Sequence, residues 1–313
     1  MKKNNDHLTV KKGLVIFAVL FVLLYIIIYI VPRVFDIFTS TYLAEYGTLE
    51  VKQEAECLIV RNEKVYKAPS SGSVERLAED GQLLRAGSPV VSVGGGEEES
   101  DMRGVVSYRS DGFESRFTPE NMADLTADSL ASYRDSESRV TEAAGDTAEA
   151  GDVIFKIIDN SQWYMVCWMS EEEASIFSEG SSVSVRPDGE NEVEMTVYSL
   201  TAQDEERRVI LSCNRFYEGF DKYRVVECEI IASAYSGIIL ETDSIVEEDG
   251  VRGVYVVDKF GENNFTPVNI LSSQGGKTVV QRNFFYDAEG NSVATVSTYD
   301  EVLRHAKNDE TEG

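Results

Sequence analysis

Histidine is nearly absent from this chain of 313 residues, with His7 near the N-terminus and His305 near the other end. The cysteines are few and form no Cys-x-x-Cys pair: Cys57, Cys167, Cys213 and Cys228. Protein zinc sites need Cys and His ligands at short, regular spacings. The sequence therefore predicts no metal site and no metal cofactor.

The redox state of the cysteines stays open at the level of sequence. Cys167 and Cys228 lie inside apolar patterns typical of strands, which favours buried free thiols. An oxidising compartment would permit a disulfide, but spacing along the chain does not pair the four thiols.

Catalytic motifs are also missing. No G-x-S-x-G occurs, and the triple glycine Gly94–Gly96 is followed by three glutamates rather than by Gly-Lys-Ser/Thr, which indicates a flexible acidic loop instead of a phosphate site. Scattered Asp and Glu in an acidic protein are usually solvated surface, although a glycosidase-type carboxylate pair stays open as an alternative. We therefore predict no enzyme, no catalytic residues and no cofactor.

Positive charge is scarce. The chain has 29 Lys and Arg against 55 Asp and Glu, a net charge of −26. A surface that binds nucleic acid must be positive to neutralise phosphates. The composition thus argues against a nucleic-acid partner.

A single long apolar run, Gly13–Val31, holds nineteen residues without a charge. At 1.5 Å per residue a helix over it covers roughly 28 Å, close to a bilayer's hydrocarbon core. A cleaved signal peptide is the rival interpretation, but the run exceeds the usual apolar region and no A-x-A-like site follows. We predict a transmembrane helix over 13–31, with these anchor residues: Leu14, Phe17, Phe21, Leu24, Ile28 and Val31.

The flanks of this run set the expected orientation. Lysines precede it and only Arg33 follows it closely, so residues 1–12 should be cytosolic and the bulk of the chain extracytoplasmic. The amphipathic stretch 32–47 predicts a juxtamembrane helix that ends at Gly47.

Between residues 64 and 158, short β-type runs alternate with glycine turns. The sequence Ala86-Gly87-Ser88-Pro89-Val90 in the first half has a counterpart, Ala150-Gly151-Asp152-Val153-Ile154, in the second. Glycine adopts positive φ without steric cost, so it marks tight turns. We assign structural turn roles to six glycines of these two half-modules: Gly72, Gly81, Gly87, Gly104, Gly112 and Gly151.

These motifs and their order resemble the HlyD-like membrane fusion proteins, the periplasmic adaptors of efflux systems. The resemblance implies a mainly β fold in which two lipoyl/biotinyl-like halves form a barrel-sandwich hybrid. The implied organisation places this hybrid at 48–160 with a polar helix and loop inserted at 114–150, a small antiparallel β-barrel at 161–235, a membrane-proximal β-domain at 236–300, and a disordered tail at 301–313.

Two departures from this family shape the expected function. The tip between the halves, residues 94–103, contains no lysine, so a carrier of a covalent group is not expected. About ten residues separate the halves, too few for a coiled-coil hairpin that reaches an outer-membrane duct. This suits a cell with one membrane, as in Gram-positive bacteria.

The resemblance implies a non-enzymatic, membrane-anchored adaptor of an export or efflux transporter. It would form a homo-oligomer and pack against membrane transporter subunits at the outer face of the cytoplasmic membrane. The alternative is an adaptor-derived scaffold that binds cell-envelope or division proteins during wall assembly or division.

Overall fold

The computed structural model describes residues 17, 19–25, 41–135, 141–143, 145–187, 191–215, 217 and 221–304. Strands dominate this part of the chain. The strands up to residue 170 are β1 (Thr41–Leu43), β2 (Glu45–Lys67), β3 (Gly72–Arg76), β4 (Leu83–Leu84), β5 (Ser88–Val93), β6 (Gly96–Ser100), β7 (Gly104–Ser107), β8 (Arg109–Ser110), β9 (Thr141–Glu142), β10 (Thr147–Ala148) and β11 (Val153–Ser170). The later strands are β12 (Ser182–Arg186), β13 (Val193–Gln203), β14 (Glu206–Cys213), β15 (Val225–Glu241), β16 (Val246–Glu248), β17 (Val251–Val257), β18 (Asn263–Pro267), β19 (Ile270–Gln274), β20 (Lys277–Val280), β21 (Phe284–Tyr286), β22 (Ser292–Ala294) and β23 (Glu301–Leu303).

Helices are short and few among these described residues. Phe17 and residues 19–25 are helical and exposed. Two α-helices, Ala127–Arg134 and Glu171–Ala174, lie between strands, with 3₁₀ turns at Met122–Asp124 and Thr242–Ser244. Within the described chain no helix has the length and apolar character needed to cross a membrane.

The predicted membrane segment falls largely on other residues. Of the six proposed anchors, Phe17, Phe21 and Leu24 are in the exposed helical stretch. The remaining three, Leu14, Ile28 and Val31, lie outside the described residues.

The chain divides into two compact units, and Val51–Ser233 forms the larger. Its first part is the barrel-sandwich hybrid, in which each half contributes strands to both sheets. Strand β10 of the second half pairs with β3 of the first, and β4 of the first half pairs with β7 of the second. The two glycine-punctuated halves are therefore one folded body, as the family resemblance implied.

A closed β-barrel forms the second part of this unit. Its strands follow each other in the order β15, β12, β13, β14, β11 and β2, and β2 pairs in turn with β15. The interior is filled by apolar side chains such as Met165, Met195 and Leu211. A mainly β fold with a barrel-sandwich hybrid and a β-barrel confirms the corresponding prediction.

Strand β11 explains why the WYMVCWM stretch is apolar at every position. Successive side chains of a strand point to opposite faces. Met165 and Cys167 face the barrel interior, while Tyr164 and Val166 pack under residues 113–134, which we call the covering segment. A stretch that is apolar at every position predicts a strand buried on both faces, and β11 is such a strand.

The second unit comprises the described residues up to Glu50 and from Ala234 onward. Its five-stranded sheet has the order β1-β23-β17-β16, with β18 also paired to β17. Ala44, Val254 and Val302 are fully buried in its core. That this unit is the membrane-proximal domain of the family stays a prediction.

Several local predictions were wrong. The juxtamembrane helix cannot extend to Gly47, because Thr41–Leu43 is a strand and β2 begins at Glu45. Tyr42 of the first strand pairs with Val302. Residues 32–40 lie outside the described part of the chain. The tail does not begin at residue 301, since Glu301–Leu303 pairs with β1. Alternating apolar side chains that insert into one core give both segments their strand conformation.

The inserted region is also more ordered than its composition suggested. The sequence Thr118-Pro119-Glu120 has the pattern of a helix start, but the helix begins at Ala127, because Thr126 and Ser129 form the capping box. Thr141–Glu142 and Thr147–Ala148 pair with β8 and β3. The acidic residues after the glycine triplet form β6, a strand paired with β5, instead of a flexible loop.

Candidate functional site

A cluster of six charged side chains is buried where the hybrid meets the barrel. Each of these side chains is at most 9% exposed, although the protein as a whole is rich in solvated charge. We call this set the ion cluster; its members are Arg61, Glu63, Asp111, Glu114, Lys156 and Arg224.

Different parts of the sequence supply these charges. Arg61 and Glu63 are two residues apart on β2, so both point to one face of the strand. Lys156 interrupts the apolar run Val153–Ile158 on β11, and Arg224 precedes β15. Asp111 and Glu114 come from the turn after β8. The cluster thus joins strands of the hybrid to the chain that enters the last barrel strand.

Glu63 is the hydrogen-bond acceptor at the centre of the ion cluster. Its Oε1 accepts a hydrogen bond from Arg61 Nε at 2.8 Å and lies 3.2 Å from Lys156 Nζ. Its Oε2 accepts from Arg224 Nη2. Burial would raise the pKa of Glu63, but the charges of Arg61, Arg224 and Lys156 outweigh burial and hold it far below its usual range.

Arg224 also binds Asp111 with two donors. Its Nε donates to Asp111 Oδ2 at 2.8 Å and its Nη2 to Oδ1 at 3.3 Å. Burial alone would lower the pKa of Arg224, yet the Glu63 and Asp111 carboxylates raise it. Burial would likewise raise the pKa of Asp111, and the Arg224 charge lowers it instead. All three groups therefore stay ionised.

Glu114 closes the cluster on the side of the β8 turn. Its Oε1 accepts from Ser110 Oγ at 2.7 Å and from the backbone N–H of Asp111 at 3.0 Å, and Lys156 Nζ lies 3.4 Å away. Three cations and three carboxylates give the cluster no net charge. Each charged side chain is paired with a group of opposite sign, so the arrangement fixes the geometry of the junction.

A cavity of about 290 Å³ adjoins the ion cluster. Arg61, Lys156 and Arg224 contribute to its wall together with Tyr133 and Tyr223. Arg61 also donates to the carbonyl oxygens of Tyr223, at 3.2 Å, and of Asp221, at 3.3 Å. These bonds tie the segment that leads into β15 to β2.

The covering segment is tied to the outside of the barrel by a buried arginine. Arg208 Nη1 donates to the carbonyl oxygen of Leu125 at 3.1 Å and also to that of Ala123. Gln203 Nε2 donates to the same Leu125 oxygen at 3.3 Å. The insertion thus folds back onto its own protein and buries one face of the barrel wall.

Four of the predicted turn glycines do have positive φ, between 77° and 96°: Gly81, Gly87, Gly112 and Gly151. Gly81 N–H donates to the Val106 carbonyl at 2.9 Å, a bond between the two half-modules.

Gly72 and Gly104 are not turn residues, because each lies within a strand. A Cβ on Gly104 would be 2.4 Å from the carbonyl oxygen of Ile158 on β11, and one on Gly72 would be 2.8 Å from the Cα of Gly94. Both positions need glycine because neighbouring backbone approaches closely.

The ion cluster was missed by sequence reasoning, which assigned the carboxylates to solvated surface. A signal was present: Lys156 within VIFKII, and Arg61 and Glu63 directly after Leu58–Val60, are charges adjoining or within fully apolar strands. Such charges are buried only when paired. The sequence does not reveal which distant residues supply the partners.

Two protein-family models match successive domains of this chain. The model described as the RND-related barrel-sandwich hybrid domain matches residues 63–159, and the model described as the RND-related β-barrel domain matches residues 163–234. Together they match more than half of the chain. No curated protein matches.

Solved structures that match this chain have low sequence identity and low TM-scores. MacA from Actinobacillus actinomycetemcomitans is 10% identical, with 85% of this chain and 100% of that chain covered and a TM-score of 0.39. ZneB from Cupriavidus metallidurans is 11% identical, with 88% and 94% covered and a TM-score of 0.30. The membrane fusion protein Spr0693 from Streptococcus pneumoniae R6 is 12% identical, with 57% and 98% covered and a TM-score of 0.29.

The family assignment depends on the two matched domains and on their order along the chain. A barrel-sandwich hybrid assembled from two half-modules is followed directly by a closed β-barrel. The chain belongs to the RND-related, HlyD-like membrane fusion protein family.

Proposed function

We propose that this protein is a non-enzymatic adaptor of an export or efflux transporter, anchored by one transmembrane helix over residues 13–31 and acting at the outer face of the cytoplasmic membrane. The observation that carries the proposal is the order of the two matched domains, hybrid then barrel, after an uncharged run long enough to span a bilayer. The β-domains would pack between identical protomers and against transporter subunits.

The ion cluster supports this role. An adaptor transmits force and position between partners, so its domains must keep a fixed relation. A buried network of mutually paired charges at the junction of hybrid and barrel resists bending there, since displacement would separate buried charges from their partners.

In vivo photocrosslinking tests the adaptor proposal. A photoreactive residue would replace Tyr198, a barrel side chain that is 54% exposed, and captured proteins would be identified by mass spectrometry. We expect a transporter permease subunit. The same substitution at the buried Met195 is the control and should capture no partner. Capture at Tyr198 without any transporter subunit would remove the adaptor proposal.

One observation favours the alternative, an envelope scaffold in wall assembly or division. Where a tripartite adaptor has a long helical hairpin, this chain has the tight β5–β6 turn at Gly94 and Gly95, with φ of 59° and 89°. A module without that extension has no evident means of reaching a distant duct. Capture of wall-synthesis or division proteins at Tyr198 would favour the scaffold.

The anchor and the oligomer are tested separately. Deleting residues 13–31 should move the protein from the membrane pellet to the soluble fraction, whereas a membrane-bound deletion variant would refute the anchor. Light scattering of the detergent-solubilised full chain should give a multiple of the 34.8 kDa protomer. A monomer at all concentrations would contradict the homo-oligomer.

A further inference from the structure

The barrel interior concentrates the thiols of this protein. All four cysteines are buried and free. Cys57 Sγ lies 3.2 Å from Cys228 Sγ, and Cys57 is hydrogen-bonded to Cys167 as well. Cys213 is outside this group, with its Sγ near the carbonyl oxygens of Glu194 and Arg215, at 3.8 Å and 3.5 Å.

The strands that carry Cys57 and Cys228 suit a covalent link. The strand pairs around the barrel from β2 through β11, β14, β13 and β12 to β15 are antiparallel, so β2 and β15 also run antiparallel to each other. The backbone N–H of Ile59 donates to the carbonyl oxygen of Arg224 at 2.7 Å, so Cys228 lies diagonal to Cys57 across the two strands. Side chains of diagonal neighbours can meet across a strand pair, and here the two Sγ atoms are in contact.

Cys228 lies nearer to the protein surface than Cys57 does. Cys228 is 5% exposed and forms part of the wall of an open surface pocket of about 480 Å³, whereas Cys57 is fully buried behind it. Four carboxylates and one guanidinium share that wall: Glu54, Glu56, Glu227, Glu229 and Arg186.

We propose that Cys57 and Cys228 are a redox-active pair that closes the barrel with a disulfide between its first and last strands. The pocket beside Cys228 is the entry for the oxidant, a disulfide-bearing molecule that is neutral or cationic. The proposal depends on the thiol geometry alone and is independent of the adaptor function.

The chemistry has two exchange steps. Cys228 loses its proton to solvent, and its Sγ attacks one sulfur of the oxidant R–S–S–R, which releases RS⁻ and leaves Cys228 as a mixed disulfide. Cys57 Sγ then attacks Cys228 Sγ, and its proton passes to the second departing RS⁻. Two protein thiols are oxidised by two electrons in total, and one reagent disulfide is reduced to two thiols.

The burial of Cys57 determines the order of the two exchange steps. Hydrogen bonds with Cys167 and Cys228, together with burial, raise the pKa of the Cys57 thiol. Cys57 is therefore the resolving thiol, which reacts only after Cys228 has been activated at the pocket.

The link would constrain most of the larger unit. The loop closed by residues 57 and 228 includes nearly all of both matched domains. A disulfide that closes so long a loop restricts the unfolded chain strongly. We expect the unfolding midpoint to rise by on the order of 5–10 °C on oxidation.

The test uses the purified, detergent-solubilised full chain. After treatment with cystamine, free thiols are alkylated and the non-reduced peptides are mapped by mass spectrometry. We expect loss of two hydrogens in the intact mass and a peptide pair joining Cys57 to Cys228. Cystamine, a dication, should react about tenfold faster than oxidised glutathione, an anion, at low ionic strength, with the difference shrinking in 0.5 M salt.

Cysteine-to-serine variants distinguish the Cys57–Cys228 pair from the other thiols of the barrel. Cys228→Ser should abolish the link, and Cys57→Ser should stop the reaction at the mixed disulfide on Cys228. Cys213→Ser is the matched control, a buried barrel thiol whose substitution should leave the Cys57–Cys228 link and the midpoint shift intact. Near-UV circular dichroism verifies that each variant is folded.

Several results would overturn the proposal. One is wild-type protein that keeps all four thiols in cystamine until it unfolds. Another is a main product that joins Cys57 to Cys167. A third is a link that forms equally fast with oxidised glutathione at low salt, because the acidic pocket would then not be the entry.

Discussion

Arg224 and Glu63 form a fully buried ion pair that connects the chain entering the last barrel strand to the hybrid end of β2, 161 residues earlier. The pair is part of a neutral network, so each charge depends on the others. Neither domain of the larger unit holds all the members of this network.

Removing Arg224 should destabilise the protein strongly. In Arg224→Ala, Glu63 loses one of its hydrogen-bond donors, and Asp111 loses both Arg224 donors and keeps the backbone N–H of Phe113, inside a buried site. Breaking a buried pair typically costs about 3–5 kcal/mol. Urea unfolding of both proteins measures this difference.

The control for this variant is Arg207→Ala. Arg207 pairs with Glu171 on the surface, where both side chains are substantially exposed, so its loss should have a much smaller effect. Equal destabilisation by the two variants would mean that the ion cluster has no special structural role.

The cluster should make stability sensitive to acid. The lowered pKa values of Glu63 and Asp111 mean that the unfolded carboxylates, with pKa near 4.3 and 3.9, take up protons first as pH falls. Their stabilising contribution is complete above about pH 5 and is lost as pH falls toward the folded-state values. Asp111→Asn should thus destabilise at pH 7, and its difference from wild type should shrink below about pH 4.

Urea midpoints at pH 7, 5, 4 and 3 measure this dependence. Glu205→Gln, at an exposed turn between β13 and β14, is the matched carboxylate-to-amide control and should show no such trend. A constant difference for Asp111→Asn across this range would contradict the assignment.

Gly104→Ala should weaken the hybrid. The added methyl would lie 2.4 Å from the Ile158 carbonyl oxygen and 2.6 Å from Ile157 Cγ2, so β7 and β11 would have to separate. We expect a loss of about 1–3 kcal/mol, as for other overpacked sites. Gly145→Ala, where nothing lies within 4 Å of the new methyl, should be nearly neutral in the same thermal unfolding assay. Two similar midpoints would refute the close-approach role.

Arg208→Ala should loosen the covering segment without unfolding the barrel. The carbonyl oxygens of Ala123 and Leu125 would lose their Arg208 donor, and the segment would open locally more often. Trypsin should then cleave after Arg116 or Arg134 several-fold faster than in wild type. Arg215→Ala, which removes an exposed pair with Glu194, should leave the cleavage rate unchanged. Unchanged cleavage in Arg208→Ala would mean that apolar contacts alone hold the segment.

The local pattern of this chain was sufficient for much of the architecture. Glycine spacing predicted the two half-modules, because tight turns require residues that tolerate positive φ. The doubly apolar stretch of β11 predicted a strand covered on both faces. The spacing of Ser170 and Glu173 likewise indicates a capping box, and Glu173 Oε2 accepts from the Ser170 N–H at 2.8 Å. Each of these features is encoded within a few residues.

Features that depend on distant partners were decided by the tertiary structure. Tyr42 is in a strand because Val302 lies opposite it, and no local pattern near residue 42 contains that information. The burial of Lys156 depends on Glu63 and Glu114, and the proximity of Cys57 to Cys228 depends on closure of the barrel. Local patterns thus determined many of the strands and turns, while only the folded chain decided which charges and which thiols meet, because those contacts join residues up to 171 positions apart.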